Sequence, residues 1–384
     1  LIEDFYRMKY KPYFLEDVKS SAERKLFTVI STFAGGGGSS TGYKLAGGEI
    51  LAVNEFVDAA LDTYHANYPN TPSLTGDIKD LTGQDFLDLT GLKKGELDLL
   101  DGSPPCSAFS ISGSREKGWN KEKKYSQDKK VSNVEDLFFE YIRIAKDIQP
   151  KVFVGENVNA IMFGEARKYY NRIIMTMEDC GYTAIGDVLN AADFGTPQNR
   201  RRCFFVAIRN DILEKTDLNF MTLSSSIYPQ PTYKEPVTIY EAIHDLKTDE
   251  TEEQELFDAI ENGFLSKWLP QLNETYGVNL KDKPKKGSDV HPTGSLFNLV
   301  RPAINLPSPT VTQMGQQKNV SGVLHYEKDR KLSSIELKRI QGLPEDYILT
   351  GTFNQKAERI CRMVAPQCLE ALASSIYKNI FSVL

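Results

Sequence analysis

Apolar residues in the first half of the chain fall into short runs separated by amphipathic stretches, the rhythm of strands alternating with helices. Leu26-Phe27-Thr28-Val29-Ile30-Ser31-Thr32-Phe33-Ala34 has the β-branched and aromatic content of a buried strand. It runs straight into Gly35, Gly36, Gly37 and Gly38, then Ser39-Ser40-Thr41-Gly42 and a helical pattern, so the opening reads as strand, glycine turn, helix. A second strand is predicted over Ile50 to Asn54, ending at Glu55, and another over 97–101, where Leu97, Leu99 and Leu100 surround Asp98. Residues 134–148 carry Leu137, Phe138, Tyr141, Ile144, Ala145 and Ile148 at helical spacing, forming one apolar face. Val152 to Val154 predict a short strand, 165–180 a helix, and 182–190 and 203–208 two late strands.

This alternation predicts an α/β fold, a doubly wound and mainly parallel sheet that binds ligands at the carboxyl ends of its strands. Residues 1–25, polar with some aromatics, predict an N-terminal helix or arm. From about 213 to 330 the rhythm is lost among Pro, Gly, Asn, Thr and Lys, which predicts a second, smaller and more irregular module. Ser333-x-x-Glu336 then reads as a capping box whose helix stops near Gly342-Leu343-Pro344. A last helix over roughly 366–380 is expected to dock back on the sheet. The expected division is a catalytic and cofactor-binding domain at 1–212, completed by about 357–384, with a small domain at 213–356.

Composition narrows the setting. The 384 residues are 40% hydrophobic and 26% charged, ordinary values for a globular protein with room for one large domain and a smaller one. No apolar run approaches about 18 residues, so no membrane span is expected, and no secretory signal pattern is present. Five scattered cysteines (106, 180, 203, 361, 368) fit reduced thiols in a cytoplasm, not a disulfide framework. With four scattered histidines and no Cys-x-x-Cys, no metal site is expected. A net charge of −6 does not announce nucleic acid, although a local basic surface suffices to bind it. Two such stretches exist: Arg115, Lys117, Lys121, Lys123, Lys124, Lys129 and Lys130 within 115–130, and Arg200-Arg201-Arg202. By composition alone both read as solvated faces.

Chemistry enters at Asp101-Gly102-Ser103-Pro104-Pro105-Cys106. Two prolines forbid helix and fix the backbone, presenting Cys106 at a rigid strand end as a candidate nucleophile. The glycine loop lacks Gly-x-Gly-x-x-Gly, since Ser40 or Thr41 takes the third place, which weakens a dinucleotide. Glu55 suits the two hydroxyls of a ribose. Asp77 can accept from an adenine amine, and Ile78 and Phe56 can cover the ring. A loop with no pyrophosphate to cradle, joined to adenosine-directed acids, favours S-adenosylmethionine.

The chain resembles the cytosine-5 DNA methyltransferases of bacteria and phages. The resemblance is carried by Phe33-Ala34-Gly35-Gly36-Gly37-Gly38, Asn54-Glu55, Asp77-Ile78, Pro104-Pro105-Cys106, Glu156-Asn157-Val158, Gln198-Asn199-Arg200-Arg201-Arg202 and Arg339-Ile340-Gln341-Gly342-Leu343-Pro344, in the family's order. It implies a Rossmann-like fold in which S-adenosyl-L-methionine, leaving as S-adenosyl-L-homocysteine, methylates C5 of a flipped-out cytosine in a specific double-stranded DNA sequence. It makes Cys106 the covalent nucleophile toward C6, Glu156 the contact to N3 and the exocyclic amine, Arg202 the holder of O2, and Arg200 a neighbour of both cysteine and base. Phe33, Ala34, Gly35 to Gly38, Glu55, Phe56, Asp77, Ile78, Pro105 and Leu137 would line the cofactor site. Pro105, Ser110, Val158 and Gln198 would meet the base. Residues 107–132 become a mobile loop over the extruded nucleotide, and 213–330 the reader of base edges.

The sequence departs from the pattern at Ser107, where Gln is common, and at Ile335, where Arg usually forms a structural ion pair. It departs again at Cys361-Arg362-Met363-Val364, in place of Gly-Asn-Ser/Ala-Val. The resemblance further implies a bacterial cytoplasm or nucleoid, a monomer on DNA, and admits a cognate restriction endonuclease as partner. Rival readings are an RNA cytosine-5 methyltransferase of the same fold and a non-catalytic DNA-binding relative, which would be expected to lose Cys106 or Glu156. An exocyclic-amine methyltransferase would want an aromatic residue where Cys106 stands, and a nicotinamide oxidoreductase is the least supported.

Overall fold

The computed structural model describes residues 10–105, 136–274, 284–292, 298–316 and 321–384, and the backbone of 123–124 and 130–131. In chain order its first elements are α1 (Leu15–Ala22), β1 (Phe27–Thr32), α2 (Gly38–Leu45), β2 (Gly48–Glu55), α3 (Asp58–Asn67), β3 (Ser73–Thr75), α4 (Gly83–Thr90) and β4 (Leu99–Gly102). The short pair β5 (Lys123–Lys124) and β6 (Lys130–Val131) precedes α5 (Leu137–Ile148), β7 (Val152–Val158), α6 (Ala166–Glu178) and β8 (Tyr182–Asn190). Then come β9 (Gln198–Asn199), β10 (Arg201–Arg209), α7 (Asn210–Leu213), α8 (Phe220–Ile227), α9 (Ile239–Ile243), α10 (Glu250–Glu261) and α11 (Leu269–Glu274). Three short strands follow, β11 (Lys285–Lys286), β12 (Val300–Arg301) and β13 (Ser308–Pro309), before α12 (Ser334–Ile340), α13 (Phe353–Arg362) and α14 (Pro366–Asn379). Among the described residues no helix is long and apolar enough to cross a membrane.

The chain divides into two compact units. The larger, Glu16–Leu189 with Arg201–Gln230 and Cys368–Leu384, holds a seven-stranded sheet in the order β3-β2-β1-β4-β7-β10-β8. Strands β1, β2, β3, β4 and β7 pair in parallel, so Thr32, Glu55, Gly102 and Val158 end at one edge. β10 runs antiparallel to β7 and sets Arg202 opposite Val158, bringing the start of β10 to that same edge. The chain leaves β1 in one direction and β4 in the other, a switch point that opens a crevice between their ends.

One apolar cluster supports this edge from below, with Phe86, Phe138, Tyr141, Phe153, Tyr182 and Phe205 all buried. Helix α5 lies close because β4 and β7 carry glycines beneath it. A Cβ on Gly102 would stand 2.6 Å from the Tyr141 ring, and one on Gly155 would stand 2.6 Å from Phe138. The Tyr141 hydroxyl reaches Val154 O at 2.7 Å and Leu100 O at 2.9 Å, so its polar end is satisfied inside the core. α14 docks where expected: Phe27 of β1 meets the Tyr377 ring, with centroids 6.2 Å apart.

The smaller unit comprises the N-terminal residues through Leu15, Asn190–Arg200 and Pro231–Gln367. Its described strands are only two residues long. A small apolar cluster of Ile260, Leu265, Leu269, Leu272, Leu299 and Leu324 is joined by a buried ionic one. Arg330 meets Glu336 through two hydrogen bonds of 2.8 Å, and its Nε donates to Glu253 at 2.8 Å. Glu336 thus has an arginine partner despite Ile335, and Ser333 with Glu336 forms the expected capping box.

The boundaries differ from the expected 1–212 and 213–356. Asn190–Arg200 belongs with the smaller unit because its bonds go there: β9 pairs with β13, and Gln198 bonds to Gln341. Residues 10–15 join it through Tyr13, whose hydroxyl donates to Gly342 O at 2.7 Å. Residues 213–230 belong with the sheet, where the Tyr228 hydroxyl donates to Phe204 O at 2.8 Å.

Candidate active site

The turn after β1 is built from unusual backbone. Phe33 (φ 53), Gly35 (φ 55) and Gly37 (φ 99) are left-handed, and Gly37 is the N-cap of α2. Glycine relieves two of these positions; Phe33 holds a conformation that a bulky residue rarely adopts. Glu55, at the end of β2, fixes the turn from the side. Its carboxylate accepts from Gly35 N at 2.7 Å, Phe56 N at 2.8 Å and Val57 N at 2.7 Å.

The residues fit an adenosyl group. A Cβ placed on Gly35 or on Gly76 would meet no atom within 4 Å, so the loop on one side of Glu55 and the turn on the other border open space. Asp77 stands half-buried at that turn, its carboxylate capping Lys79 N at 3.1 Å. Arg143 of α5 holds the turn with hydrogen bonds of 2.9 Å to Ile78 O and Leu81 O. Phe56 is half-buried and packs against the edge of the main core. Ile78, expected to cover the ring, and Leu137, expected to line the cofactor site, are 2% and 4% exposed and belong to the main core.

At the carboxyl ends of β4 and β7 stands the candidate chemistry. Pro104 is buried and Pro105 half-buried, directly after β4. Cys106, Ser110 and most of the 107–132 stretch lie outside the described residues. Of the described cysteines, Cys203, Cys361 and Cys368 are buried, and burial pushes the thiols of Cys203 and Cys361 up, that of Cys361 to about 12. Burial also raises the Cys180 thiol. None of these three raised thiols is poised as a thiolate at neutral pH.

Glu156 and Arg202 face each other across the antiparallel pair, with Arg202 Nε 3.0 Å from Glu156 Oε1 and both side chains mostly buried. Burial lowers the pKa of the guanidinium, and the Glu156 carboxylate opposes that shift. A carboxyl and a guanidinium held side by side at a strand edge can grip a planar ring with donors and acceptors on adjacent atoms. Val158, half-buried, closes β7 opposite Arg202, and Arg201 is exposed between its neighbours.

Two expected site residues are placed otherwise. Gln198 has no exposed surface; its amide donates to Gln341 Oε1 at 3.0 Å and accepts from Val311 N at 3.1 Å. Its side chain ties the smaller unit together and does not present itself to a base. Arg200 is 3% exposed in that unit and donates to Cys361 O at 2.9 Å, so it braces the Cys361-Arg362-Met363-Val364 block.

One residue near this edge escaped the sequence pattern. Asp101, next to last in β4, is buried and accepts from Ser31 Oγ at 2.6 Å and from the Tyr43 hydroxyl at 3.0 Å. Burial pushes its carboxyl up to about 6, against the pull of the Ser31, Tyr43 and Ser39 hydroxyls. Since the folded value lies above the unfolded one, its contribution to stability is full at low pH and is lost as pH rises through about 6.

A family model described as C-5 cytosine-specific DNA methylase matches residues 27–378. The type II methyltransferase M1.HphI of Haemophilus parahaemolyticus is 30% identical over 353 residues, covering 91% of this chain and 87% of the relative. The type II methyltransferase M.SacI of Streptomyces achromogenes is 27% identical over 368 residues, covering 86% and 88%. Among solved structures, the S. pombe Dnmt2 methyltransferase superposes with a TM-score of 0.58 at 18% identity, covering 91% of this chain and 97% of that one. A protein encoded within an E. coli prophage superposes with a TM-score of 0.64 at 18% identity, covering 92% and 99%.

Proposed function

The chain belongs to the C-5 cytosine-specific DNA methylases, and we propose that its own residues divide that family's reaction as follows. The enzyme methylates C5 of cytosine in DNA, and S-adenosylmethionine, when bound, supplies the electrophilic methyl that C5 accepts. Glu55 would hold the ribose hydroxyls, Asp77 the adenine amine, and Phe56 would cover the ring, with Gly35 and Gly76 leaving the space. The cytosine must leave the duplex stack, because no side chain reaches both of its faces there.

Cys106 attacks C6 as the thiolate, forming an S–C6 bond and turning C5 into an enamine-like carbon. Glu156 supports protonation at N3 as the sulfur adds, and Arg202 steadies O2 as charge gathers on it. After C5 has been methylated, its proton leaves to a base, the S–C6 bond breaks, and the thiolate is regenerated. The observation that carries this reading is the Glu156–Arg202 pair at 3.0 Å, on the sheet edge where β4 leads toward Pro104-Pro105-Cys106. The smaller unit would read the target sequence, a monomer would act on each site, and a restriction endonuclease of matching specificity would be the partner in the cell.

Methyl incorporation from labelled S-adenosylmethionine tests the substrate. Genomic duplex DNA should be labelled at 5-methylcytosine, and tRNA should not; labelled tRNA with unlabelled DNA would overturn the reading. Glu55→Ala should weaken S-adenosylmethionine binding roughly 10–100-fold, the worth of one or two charged hydrogen bonds. Calorimetry on the folded variant checks this, and unchanged affinity would remove Glu55 from the cofactor site.

A further inference from the structure

The carboxylate of Asp101 sits at the switch point between β1 and β4, and the hydroxyls that donate to it belong to the segment carrying the glycine loop. Ser31 precedes the loop on β1; Ser39 and Tyr43 follow it on α2. The same two segments are joined twice more. Thr32 Oγ1 donates to Asp101 O at 3.0 Å, and Ser103 Oγ donates to Phe33 O at 3.3 Å. The hydroxyls and the carboxylate therefore stitch the stretch 31–43 to the stretch 101–103.

A charge at this register is costly for the fold. Leu99 and Leu100, its neighbours on β4, are fully buried, and an apolar residue at 101 would spare the desolvation of a carboxylate. A buried acid that accepts from three hydroxyls of one flanking segment is better explained by what it holds still. The glycine loop and the Pro104-Pro105 turn leave the sheet side by side, and the reaction needs them in a fixed relation.

We propose that Asp101 is a positioning residue, which fixes the glycine loop at the end of β1 against the Ser103-Pro104-Pro105 turn at the end of β4. This rests on the reaction assigned above, in which the methyl donor lies at the first element and the nucleophile follows the second. Each half works without the stitch, but their alignment does not. Methyl transfer requires both halves in register, and a misplacement of about 1 Å costs on the order of 100-fold in rate.

The test separates the two half-reactions on full-length protein. Addition of Cys106 to C6 is followed without donor, as tritium released from duplex DNA carrying [5-³H]deoxycytidine; transfer is followed with saturating S-adenosylmethionine. In Asp101→Ala, kcat for transfer should fall about 100-fold while tritium exchange stays within about 3-fold of wild type. Asp101→Asn should recover most of the loss, because its amide offers an acceptor and a donor to hydroxyls that can rotate. If Asp101→Ala does not fold, Tyr43→Phe and Ser31→Ala, each removing one stitch, should shift transfer and not exchange.

Three results would overturn the proposal: transfer at the wild-type rate in a folded Asp101→Ala protein, exchange falling in step with transfer, or Asn no better than Ala. A wild-type enzyme that neither exchanges tritium nor transfers methyl would instead bring down the reaction itself, and Asp101's role with it.

Discussion

Cys106→Ser protein is expected to bind S-adenosylmethionine and duplex DNA as wild type does, and to lose methyl transfer by roughly 10⁴-fold or more. The reason lies in the substrate. C5 of cytosine is a weak nucleophile until a soft group adds at C6, and a serine hydroxyl is neither soft nor ionised near neutral pH. A free thiol has a pKa of about 8.5, so a few per cent is already thiolate, and nearby positive charge raises that fraction. Three of the four described cysteines are poorly suited to substitute, since burial raises the thiols of Cys180, Cys203 and Cys361. Single-turnover incorporation at saturating donor measures the loss; a Ser variant within tenfold of wild type would exclude covalent addition at this position.

Glu156→Gln should lower kcat by roughly 10²–10⁴-fold, the usual span for a positioned acid or base, while leaving cofactor affinity unchanged. The amide keeps the shape of the carboxyl and can still face Arg202, but it cannot carry a proton to N3. It also gives up the 3.0 Å ion pair, so Arg202 loses the charge that orients it. Glu156 lies on β7, two strands from β1 and its glycine loop, so cofactor affinity is expected to hold. Steady-state rates with calorimetric binding of S-adenosylhomocysteine separate the two effects. Unchanged turnover would show that Glu156 only braces the strand pair.

Several local features were legible in the sequence because their signals are local. The glycine turn, the Pro-Pro turn and the capping box at Ser333 are specified within a few residues. The predicted strands at 26–34, 50–54 and 182–190 rest on composition that a sheet interior requires. The strand predicted at Val152 to Val154 runs on to Val158 because β10 pairs with it residue by residue, an effect of tertiary partnership.

What stayed hidden was non-local. Gln198 and Arg200 sit in a motif beside Arg202, yet their bonds run to residues more than a hundred positions away. Ile78 and Leu137 are apolar residues next to a ligand motif, and an apolar side chain carries no mark that separates a ligand face from a core. Asp101 did leave a trace: a carboxylate closing an apolar run that ends at a strand terminus. Its meaning depends on Ser31 and Tyr43, which only the fold brings to it.

The most direct test is trapping on duplex DNA in which 5-fluorocytosine replaces cytosine, with S-adenosylmethionine present, across a pooled library of sites. Fluorine at C5 blocks the final elimination, so a denaturant-resistant protein–DNA adduct should accumulate in wild type and be absent from Cys106→Ser. Continued methylation of ordinary cytosine by an enzyme that forms no adduct on the fluorinated library would contradict the sulfur–C6 bond.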